Sequence, residues 1–373
     1  MREYLVVFGV ALAVTFLLAS LARQSASILG AVARVRDRDV HAIPTPYFGG
    51  PAMLGGLLAA FLVATQLPFL SRGDETVFAD ARAVIVGGII ICLVGVIDDL
   101  FELDALSKLA GQILAGVVVV AMGVQFVYIP LPDNYVGLDQ AQAMLITVFL
   151  IVGTSNAVNF VDGLDGLAAG MIAIGAIAFF VFAFVLAVEN GETRAMAAAL
   201  LTAALAGACL GILPHNFFPA RMFIGDSGSM LIGLVLACSS ISLIGQFPAT
   251  SITEGIGGSS NPYLVALLPL ILPVAVLLIP LLDMALAVVR RTRAGRSPFS
   301  PDKMHLHHRL LEIGHSHRRA VLLMYAAAAL VAFGVVALGL FSGWQLFVAL
   351  GVLTAVVAAA VFVLPKVEAT VWQ

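Results

Sequence analysis

The feature that most constrains this chain is a series of continuous apolar segments that recurs from one end to the other. A helix needs about 17 to 25 such residues to cross the hydrocarbon core of a bilayer. Only 11% of the residues are charged, whereas a soluble domain carries about 25%. Because the runs are continuous rather than alternating, they exclude an outer-membrane β-barrel. The sequence therefore predicts an all-α polytopic membrane protein and excludes a water-soluble enzyme.

Eleven segments fit this description and predict about eleven transmembrane helices. They lie at residues 4–22, 50–70, 82–97, 107–124, 141–158, 165–188, 195–213, 229–246, 263–289, 319–341 and 343–364. No long linker divides the chain, and no internal repeat of the kind found in many transporters is visible. We expect a single integral-membrane domain over residues 1–373.

The lysines and arginines predict the orientation of these helices. If the segment after the first helix is cytoplasmic, 15 of the 19 basic residues fall on the cytoplasmic side. The positive-inside rule then places the N-terminus outside and the C-terminus in the cytoplasm. The predicted cytoplasmic loops, which we expect to form the active face, lie near residues 23–49, 98–106, 156–165, 214–228 and 290–318.

Four polar clusters interrupt the apolar background, and all four fall on this predicted cytoplasmic face. The first is the pair Asp98 and Asp99 at the end of the third segment, followed ten residues later by Lys108. Adjacent carboxylates at a membrane surface are costly unless they are solvated, paired or bound to metal. They could act on a proton or a phosphate and hold a hard cation, or they could simply form a solvated helix end. The pair alone leaves both interpretations open.

The second cluster contains two asparagines and two aspartates within ten residues, Asn156, Asn159, Asp162 and Asp165. Residues spaced by three share one helical face or the rim of a turn. Asp162 or Asp165 could also cap the sixth helix, since aspartate is a good N-cap residue. Capping does not require four polar side chains, so this density favours a functional site.

The third cluster centres on Asp226, which stands between Gly225 and Ser227 just before an apolar segment. Read alone, Asp226 is a plausible N-cap. Read together with Asn159, it supplies a second oxygen ligand for Mg²⁺, which binds one or two protein groups and completes its shell with phosphates and water. The two interpretations are compatible.

The fourth cluster is a basic loop with three histidines, His305, His307 and His308, followed by Arg309. A positive-inside loop explains the arginines but not the histidines. A zinc site is conceivable, but no cysteine lies nearby and the acids elsewhere favour a hard cation. Imidazole and guanidinium groups facing Mg²⁺-binding acids would suit an enzyme that handles a diphosphate.

Together the four clusters resemble, in order, the signatures of the polyprenyl-phosphate N-acetylhexosamine-1-phosphate transferases. The resemblance covers about residues 38 to 320 and is closest to the WecA and TagO branch, which uses UDP-N-acetylglucosamine; the related MraY branch, which uses UDP-MurNAc-pentapeptide, has a different histidine motif. The motifs that carry it are Asp98-Asp99, Asn156-x-x-Asn159-x-x-Asp162-Gly-x-Asp165-Gly-Leu, Phe-x-Gly-Asp226-x-Gly-Ser and Ser-Pro-Phe-Ser-Pro-Asp-x-x-His305-x-His307-His308.

The resemblance implies a role for each motif residue. It places Asp98, Asp99, Lys108, His305, His307 and His308 in the catalytic centre, Asn159 and Asp226 on Mg²⁺, and Asn156, Asp162, Asp165 and Arg309 on the substrates, with Asp165 against the uracil. One departure concerns the first cytoplasmic loop, where Tyr47 stands at a position that is commonly basic in the family. No phosphate contact is therefore assigned to that loop.

The resemblance also implies an activity. A UDP-N-acetylhexosamine, most simply UDP-N-acetylglucosamine, would donate its sugar phosphate to a membrane polyprenyl phosphate, releasing UMP in the first membrane step of a cell-envelope glycan pathway. The implied cofactor is Mg²⁺, with Mn²⁺ as a substitute, and the implied location is the bacterial cytoplasmic membrane. No nucleic-acid partner is expected, and a homodimer is left open.

Three other activities compete with this one. A MraY-like enzyme would use UDP-MurNAc-pentapeptide. An ion-coupled transporter predicts acids near the centres of spans, whereas Asp283 is the only acid inside an apolar run and away from a predicted rim. A CDP-alcohol phosphatidyltransferase is disfavoured because the Asp162-Gly163 stretch is not followed by Ala-Arg at the needed spacing.

Overall fold

The structure is a computed structural model and describes residues 1–33, 44–71, 75–131, 134–188, 195–246, 262–293 and 315–363. These residues are mostly helical. The helices are α1 (Arg2–Leu29), α2 (Gly49–Ala64), α3 (Pro68–Ser71), α4 (Glu75–Phe101), α5 (Ala105–Ala121), α6 (Gln140–Val161), α7 (Leu167–Val188), α8 (Ala195–Asn216), α9 (Gly225–Gln246), α10 (Pro262–Arg293), α11 (His317–Leu340) and α12 (Trp344–Val363).

Each of the eleven predicted apolar segments is occupied by a helix, and the short α3 follows α2 within the second segment. Seven helices among the described residues are long and apolar enough to cross a membrane, namely α1, α4, α6, α7, α8, α9 and α11. The prediction of a helical polytopic membrane protein is therefore confirmed. Helix α4, with 27 residues, is longer than the segment predicted at 82–97.

One element was not predicted. Between α5 and α6 the chain forms an antiparallel hairpin of β1 (Tyr128–Leu131) and β2 (Asn134–Gly137), in which Tyr128 pairs with Gly137. The rings of Tyr128 and Tyr135 meet edge to face, 5.9 Å apart. Strands of four residues are too short to show a convincing period-two pattern, so the expectation of an all-α chain missed this connection.

The core of the bundle lies along α8 and α9. In the most apolar stretch of α9 every residue is buried, and in that of α8 the buried share is 89%. Helix α8 is rich in alanine and α9 in glycine and serine, and such small residues let helix backbones approach closely in membrane bundles. Helices α1 and α7 pack on α8, while α4 and α6 pack on α9. The polar motifs lie at one end of this inner layer.

Local capping defines where the two helices beside α9 begin. The Asp104 side chain accepts hydrogen bonds of 3.0 Å from the backbone N–H groups of Leu106 and Ser107, so α5 starts one turn before Lys108. A hydrogen bond from the Ser107 hydroxyl, together with these backbone bonds, lowers the pKa of Asp104, which keeps it ionised as an N-cap. At the opposite end of the bundle, Asp139 and Gln142 form a reciprocal capping box that begins α6.

Candidate active site

Four helices bring a lysine, an asparagine and two aspartates together at the end of the bundle. Lys108 of α5 lies 2.9 Å from Asp98 Oδ2 of α4 and forms a second ion pair with Asp226 of α9. The solvent-exposed fraction of the side chain is 19% for Lys108, 11% for Asp98 and 30% for Asp226. Because the group is partly shielded from water, these charges interact more strongly than they would on an open surface. The cluster remains accessible to a ligand from one side.

Asn159 of α6 completes this cluster. Its Nδ2 donates to Asp226 Oδ1 at 2.7 Å and to Ser229 Oγ at 2.8 Å. Asp226 thus stands between an ammonium and an amide that come from two other helices. The two residues predicted to share a cation, Asn159 and Asp226, are direct neighbours in space although 67 positions separate them.

The adjacent acids Asp98 and Asp99 face different partners. Asp98 Oδ1 accepts from the Leu103 N–H at 2.8 Å, and its other oxygen contacts Lys108. Asp99 accepts from the backbone N–H of Asp226 at 2.8 Å and from Ser227 Oγ at 2.7 Å. The carboxylate that caps α9 therefore belongs to Asp99 of α4. The N-cap interpretation of Asp226 is wrong in this respect, because Asp226 lies inside the first turn and its own N–H is the group that is capped.

Two glycines make this close approach sterically feasible. A Cβ added to Gly95 of α4 would lie 2.3 Å from Ser227 Cα, so any side chain there would push α4 away from α9. Gly225 has φ +68°, which favours glycine, and a Cβ there would lie 2.6 Å from Asp99 Oδ2. The glycines around Asp226 are required by backbone contact between helices.

The loop that carries Tyr47 packs directly on the segment leading to Asp226. The Phe223 N–H donates to Pro46 O at 2.8 Å, and the Gly49 N–H donates to Phe223 O at 3.2 Å. The Tyr47 and Phe223 rings lie 6.0 Å apart. The first loop therefore borders the site, although a tyrosine stands where the family commonly has a basic residue.

Asp165 and Asp162 occupy the turn between α6 and α7. The buried Asp165 accepts from the Ala220 N–H at 2.9 Å, which ties this turn to the connection between α8 and α9. Asp162 follows the last residue of α6 directly. Burial raises the pKa of Asp162, and the carboxylates of Asp99 and Asp165 raise it further. Asp162 therefore lies within electrostatic reach of Asp99, which contacts the first turn of α9 beside Asp226.

The sequence matches the family described as glycosyl transferase family 4 over residues 81–244. It is 50% identical over 339 residues, 90% of this chain and 82% of the relative, to the decaprenyl-phosphate N-acetylglucosaminephosphotransferase of Mycobacterium tuberculosis (strain CDC 1551 / Oshkosh). A probable undecaprenyl-phosphate N-acetylglucosaminyl 1-phosphate transferase of Bacillus subtilis (strain 168) is 31% identical over 87% of this chain and 82% of the relative. This chain belongs to the polyprenyl-phosphate N-acetylhexosamine-1-phosphate transferase family.

The family also includes more distant relatives of this chain. The phospho-N-acetylmuramoyl-pentapeptide-transferase of Desulforudis audaxviator (strain MP104C) is 33% identical over 266 residues, 65% of this chain and 76% of the relative. The two N-acetylglucosamine enzymes match a larger share of this chain, 90% and 87%. The enzyme of Mycobacterium tuberculosis is also more similar in identity than the pentapeptide transferase. Neither the pentapeptide transferase nor a transporter is favoured by these comparisons.

Within this family framework, the structure also shows polar residues that the motifs do not name. Ser227, at an unspecified position of its motif, donates to Asp99, and Gln112 of α5 pairs with Asn156 of α6. The motif residue Ser229 accepts from Asn159. The signal for Gln112 was present in the sequence, since it is an uncharged polar residue inside the apolar run of α5, one turn beyond Lys108. Nothing in the linear sequence indicated which helix it would face.

The predicted histidine loop lies outside the described residues. His305, His307, His308 and Arg309 all fall within 294–314, so their roles stay predictions. In the ranges that the structure describes, no three His, Cys, Asp or Glu side chains are grouped so that they could hold a metal. Asp226 and Asn159 offer a carboxylate and an amide in contact; the amide turns its nitrogen toward Asp226 here and would present its oxygen to an ion after a flip of the amide. That donor set fits Mg²⁺, which takes few protein ligands and draws the others from phosphates and water.

Proposed function

We propose that this protein transfers N-acetylglucosamine-1-phosphate from UDP-N-acetylglucosamine to a polyprenyl phosphate, giving a polyprenyl-diphospho-sugar and UMP. The observation that carries the proposal is the meeting of Lys108, Asp98, Asn159 and Asp226 at one partly exposed point. A phosphoryl transfer requires cationic and oxygen-ligand groups at the reacting phosphates more than it requires a covalent intermediate. The cluster supplies both kinds of group.

The proposed reaction is a displacement at the β-phosphorus of the nucleotide sugar. An oxygen of the lipid phosphate forms a new bond to this phosphorus, and the bond between it and the α-phosphate oxygen breaks, so the electron pair leaves with UMP. Lys108 would bind phosphate oxygens whose negative charge grows during the transfer. Asp98 would orient Lys108 and the lipid phosphate, which is already largely ionised near neutral pH because its second pKa is about 6.

Asn159 and Asp226 are the residues that would hold Mg²⁺, as the cofactor implied by the resemblance. When bound, the ion would neutralise charge on the diphosphate of the donor. In the structure the Asn159 side chain already contacts Asp226, so the two residues that would hold the ion lie together, while Lys108 now occupies part of the same carboxylate. The histidines at 305, 307 and 308, with Arg309, would add positive groups over the sugar and diphosphate.

The proposed donor and acceptor rest on the names of the relatives and on the different solubilities of the two substrates. The relative from Mycobacterium tuberculosis is named for decaprenyl phosphate, so decaprenyl phosphate is the first acceptor to test. A polyprenyl phosphate cannot leave the bilayer and a UDP-sugar cannot enter it, so their phosphates can meet only at the membrane surface. We propose the cytoplasmic surface of the bacterial cytoplasmic membrane, with eleven spans and an external N-terminus, on the basis of the basic residues.

The test is a donor screen with purified protein, decaprenyl phosphate and Mg²⁺, with UMP as the measured product. UDP-N-acetylglucosamine should release UMP, and a Lys108→Met variant should release at most about a hundredth as much. Release from UDP-MurNAc-pentapeptide alone would move the protein to the pentapeptide branch. No UMP from any UDP-amino sugar would overturn the proposal.

The proposed orientation has its own test. A UDP-sugar does not cross a sealed bilayer, so inside-out membrane vesicles should form labelled lipid from radioactive donor while right-side-out vesicles should not. Detergent permeabilisation should then equalise the two preparations. Equal labelling by both intact preparations, or labelling by right-side-out vesicles alone, would contradict the cytoplasmic placement.

A further inference from the structure

Beneath the cluster of Lys108, Asn159 and Asp226 lies a second layer of side chains from the same three helices. It consists of Gln112 of α5, Asn156 of α6 and Met230 of α9. Each lies about one helical turn deeper than a residue of the upper layer: 112 is four positions from 108, 156 is three from 159, and 230 is four from 226. We call these three residues the floor of the site.

The floor is held by hydrogen bonds that run in both directions. Asn156 Nδ2 donates to Gln112 Oε1 at 2.7 Å, and Gln112 Nε2 donates back to Asn156 Oδ1 at 3.2 Å. The remaining amide hydrogens go to Met230 Sδ at 3.0 Å and to Val152 O at 2.8 Å. All four N–H donors of the two amides are therefore used inside the protein, and none remains for a substrate.

Burial of the Gln112 amide makes its pairing with Asn156 necessary, and the pairing fixes the position of α5 against α6. Gln112 is 1% exposed and Met230 is fully buried. An amide removed from water is costly unless its donors and acceptors are satisfied, and here the matching amide comes from a neighbouring helix. Sliding α5 against α6 by a few tenths of a helical turn would break both bonds at once. The pair therefore sets the relative depth of the helices that carry Lys108 and Asn159.

From this geometry we infer that Gln112 is a positioning residue for phosphate transfer, acting through Asn156 to align Lys108 of α5 with Asn159 of α6 and Asp226 of α9. The inference deepens the proposed function and rests on it for its kinetic test. It also assigns Asn156 a positioning role in place of the substrate contact implied by the family resemblance.

The first test is kinetic and uses Gln112→Met, which keeps the length of the side chain and removes the amide. The kcat for UMP release should fall by about tenfold or more, since small misplacements of catalytic groups are costly. The KM values for both substrates should change by less than about threefold, because substrate contacts are intact. The matched control is Thr147→Val in α6, which removes the buried acceptor for the Phe126 N–H far from the floor and should leave kcat unchanged. An unchanged kcat in Gln112→Met would overturn the inference.

The second test exchanges the two amides. Gln112→Asn and Asn156→Gln should each lower kcat, because one bridge becomes too short and the other too long. The double variant restores the summed length and should return kcat to within about threefold of the original. A double variant no better than the poorer single variant would overturn the inference, as would a rise in the KM for the UDP-sugar confined to the Asn156 variants.

A third readout does not depend on catalysis and so separates this inference from the proposed function. The chain has three lysines, Lys108, Lys303 and Lys366, so acylation of Lys108 can be compared by mass spectrometry with that of Lys366. In Gln112→Met, Lys108 should lose its contact with Asp226 and acylate at least about threefold faster relative to Lys366. An unchanged ratio would contradict the inference even if the protein released UMP. A raised ratio in a protein that releases no UMP would support the inference while the proposed function failed.

Discussion

Asp99 Oδ1 accepts a 2.8 Å hydrogen bond from the backbone N–H of Asp226, so an acid of α4 caps the helix that carries the candidate metal ligand. Ser227 adds a hydroxyl donor to the same carboxylate at 2.7 Å. A carboxylate at a helix N-terminus also interacts favourably with the helix dipole. Asp98, its neighbour in sequence, contacts Lys108 instead. The two adjacent acids therefore have separate structural functions.

This separation predicts different outcomes for two conservative variants. Asp99→Asn replaces one acceptor oxygen with an amide donor facing backbone N–H groups, and it should lower the free energy of unfolding by about 1 to 3 kcal/mol. Asp98→Asn keeps the Leu103 contact and leaves Lys108 paired with Asp226, so it should lower the free energy of unfolding by less than Asp99→Asn does, while lowering activity strongly. Thermal unfolding in detergent and UMP release measure the two effects. An Asp99→Asn protein that is inactive yet fully stable would indicate that Asp99 acts on substrate.

Lys108 and a divalent cation should compete for Asp226. In Lys108→Met the ammonium that contacts this carboxylate is absent, so Mg²⁺ should raise the melting temperature of the variant more than that of the original protein. The measurement is a Mg²⁺ titration of thermal unfolding at constant ionic strength. Asp226→Asn is the control and should lose most of the Mg²⁺ effect. Equal Mg²⁺ shifts in all three proteins would remove Asp226 from the set of ligands.

Contact between α4 and α9 predicts that alanine destabilises the protein at Gly95 but not at Gly153. Gly95→Ala would place a Cβ 2.3 Å from Ser227 Cα, and the resulting shift should destabilise the protein by about 1 to 3 kcal/mol and reduce UMP release. Gly153→Ala in α6 is the matched control, because no heavy atom lies within 4 Å of the added Cβ. This control should be neutral or stabilise the helix by up to about 1 kcal/mol. Equal unfolding midpoints for the two variants would contradict the packing described for Gly95.

The raised pKa of Asp162 predicts a pH dependence of stability. Because burial raises this pKa, the folded state binds the proton more tightly than the unfolded state does. The stability that this provides is complete below the ordinary aspartate range and is lost as the pH rises through the raised value. Asp162→Asn is neutral throughout and should lack this loss. Its melting temperature, relative to that of the original protein, should therefore increase as the pH rises from about 4 to 8, and parallel profiles would contradict the prediction.

The sequence by itself determined which segments form helices and which polar motifs lie at their ends. Each apolar segment is long enough to be read without knowledge of its neighbours, because the bilayer imposes a minimum length on every span. The motifs around Asp98, Asn159 and Asp226 could be matched to a family because their spacing is local. On this basis the resemblance correctly identified the family to which the chain belongs.

Only the tertiary structure decided how these residues divide their functions. That Asp99 caps α9, that Gly95 contacts Ser227 and that Gln112 pairs with Asn156 depend on the rotation and depth of one helix against another. An apolar span constrains length but leaves rotation free, since lipid and neighbouring helices offer similar apolar surroundings. The rotation is set by close backbone contact and by buried hydrogen bonds between residues far apart in the chain, and no local pattern records such pairs.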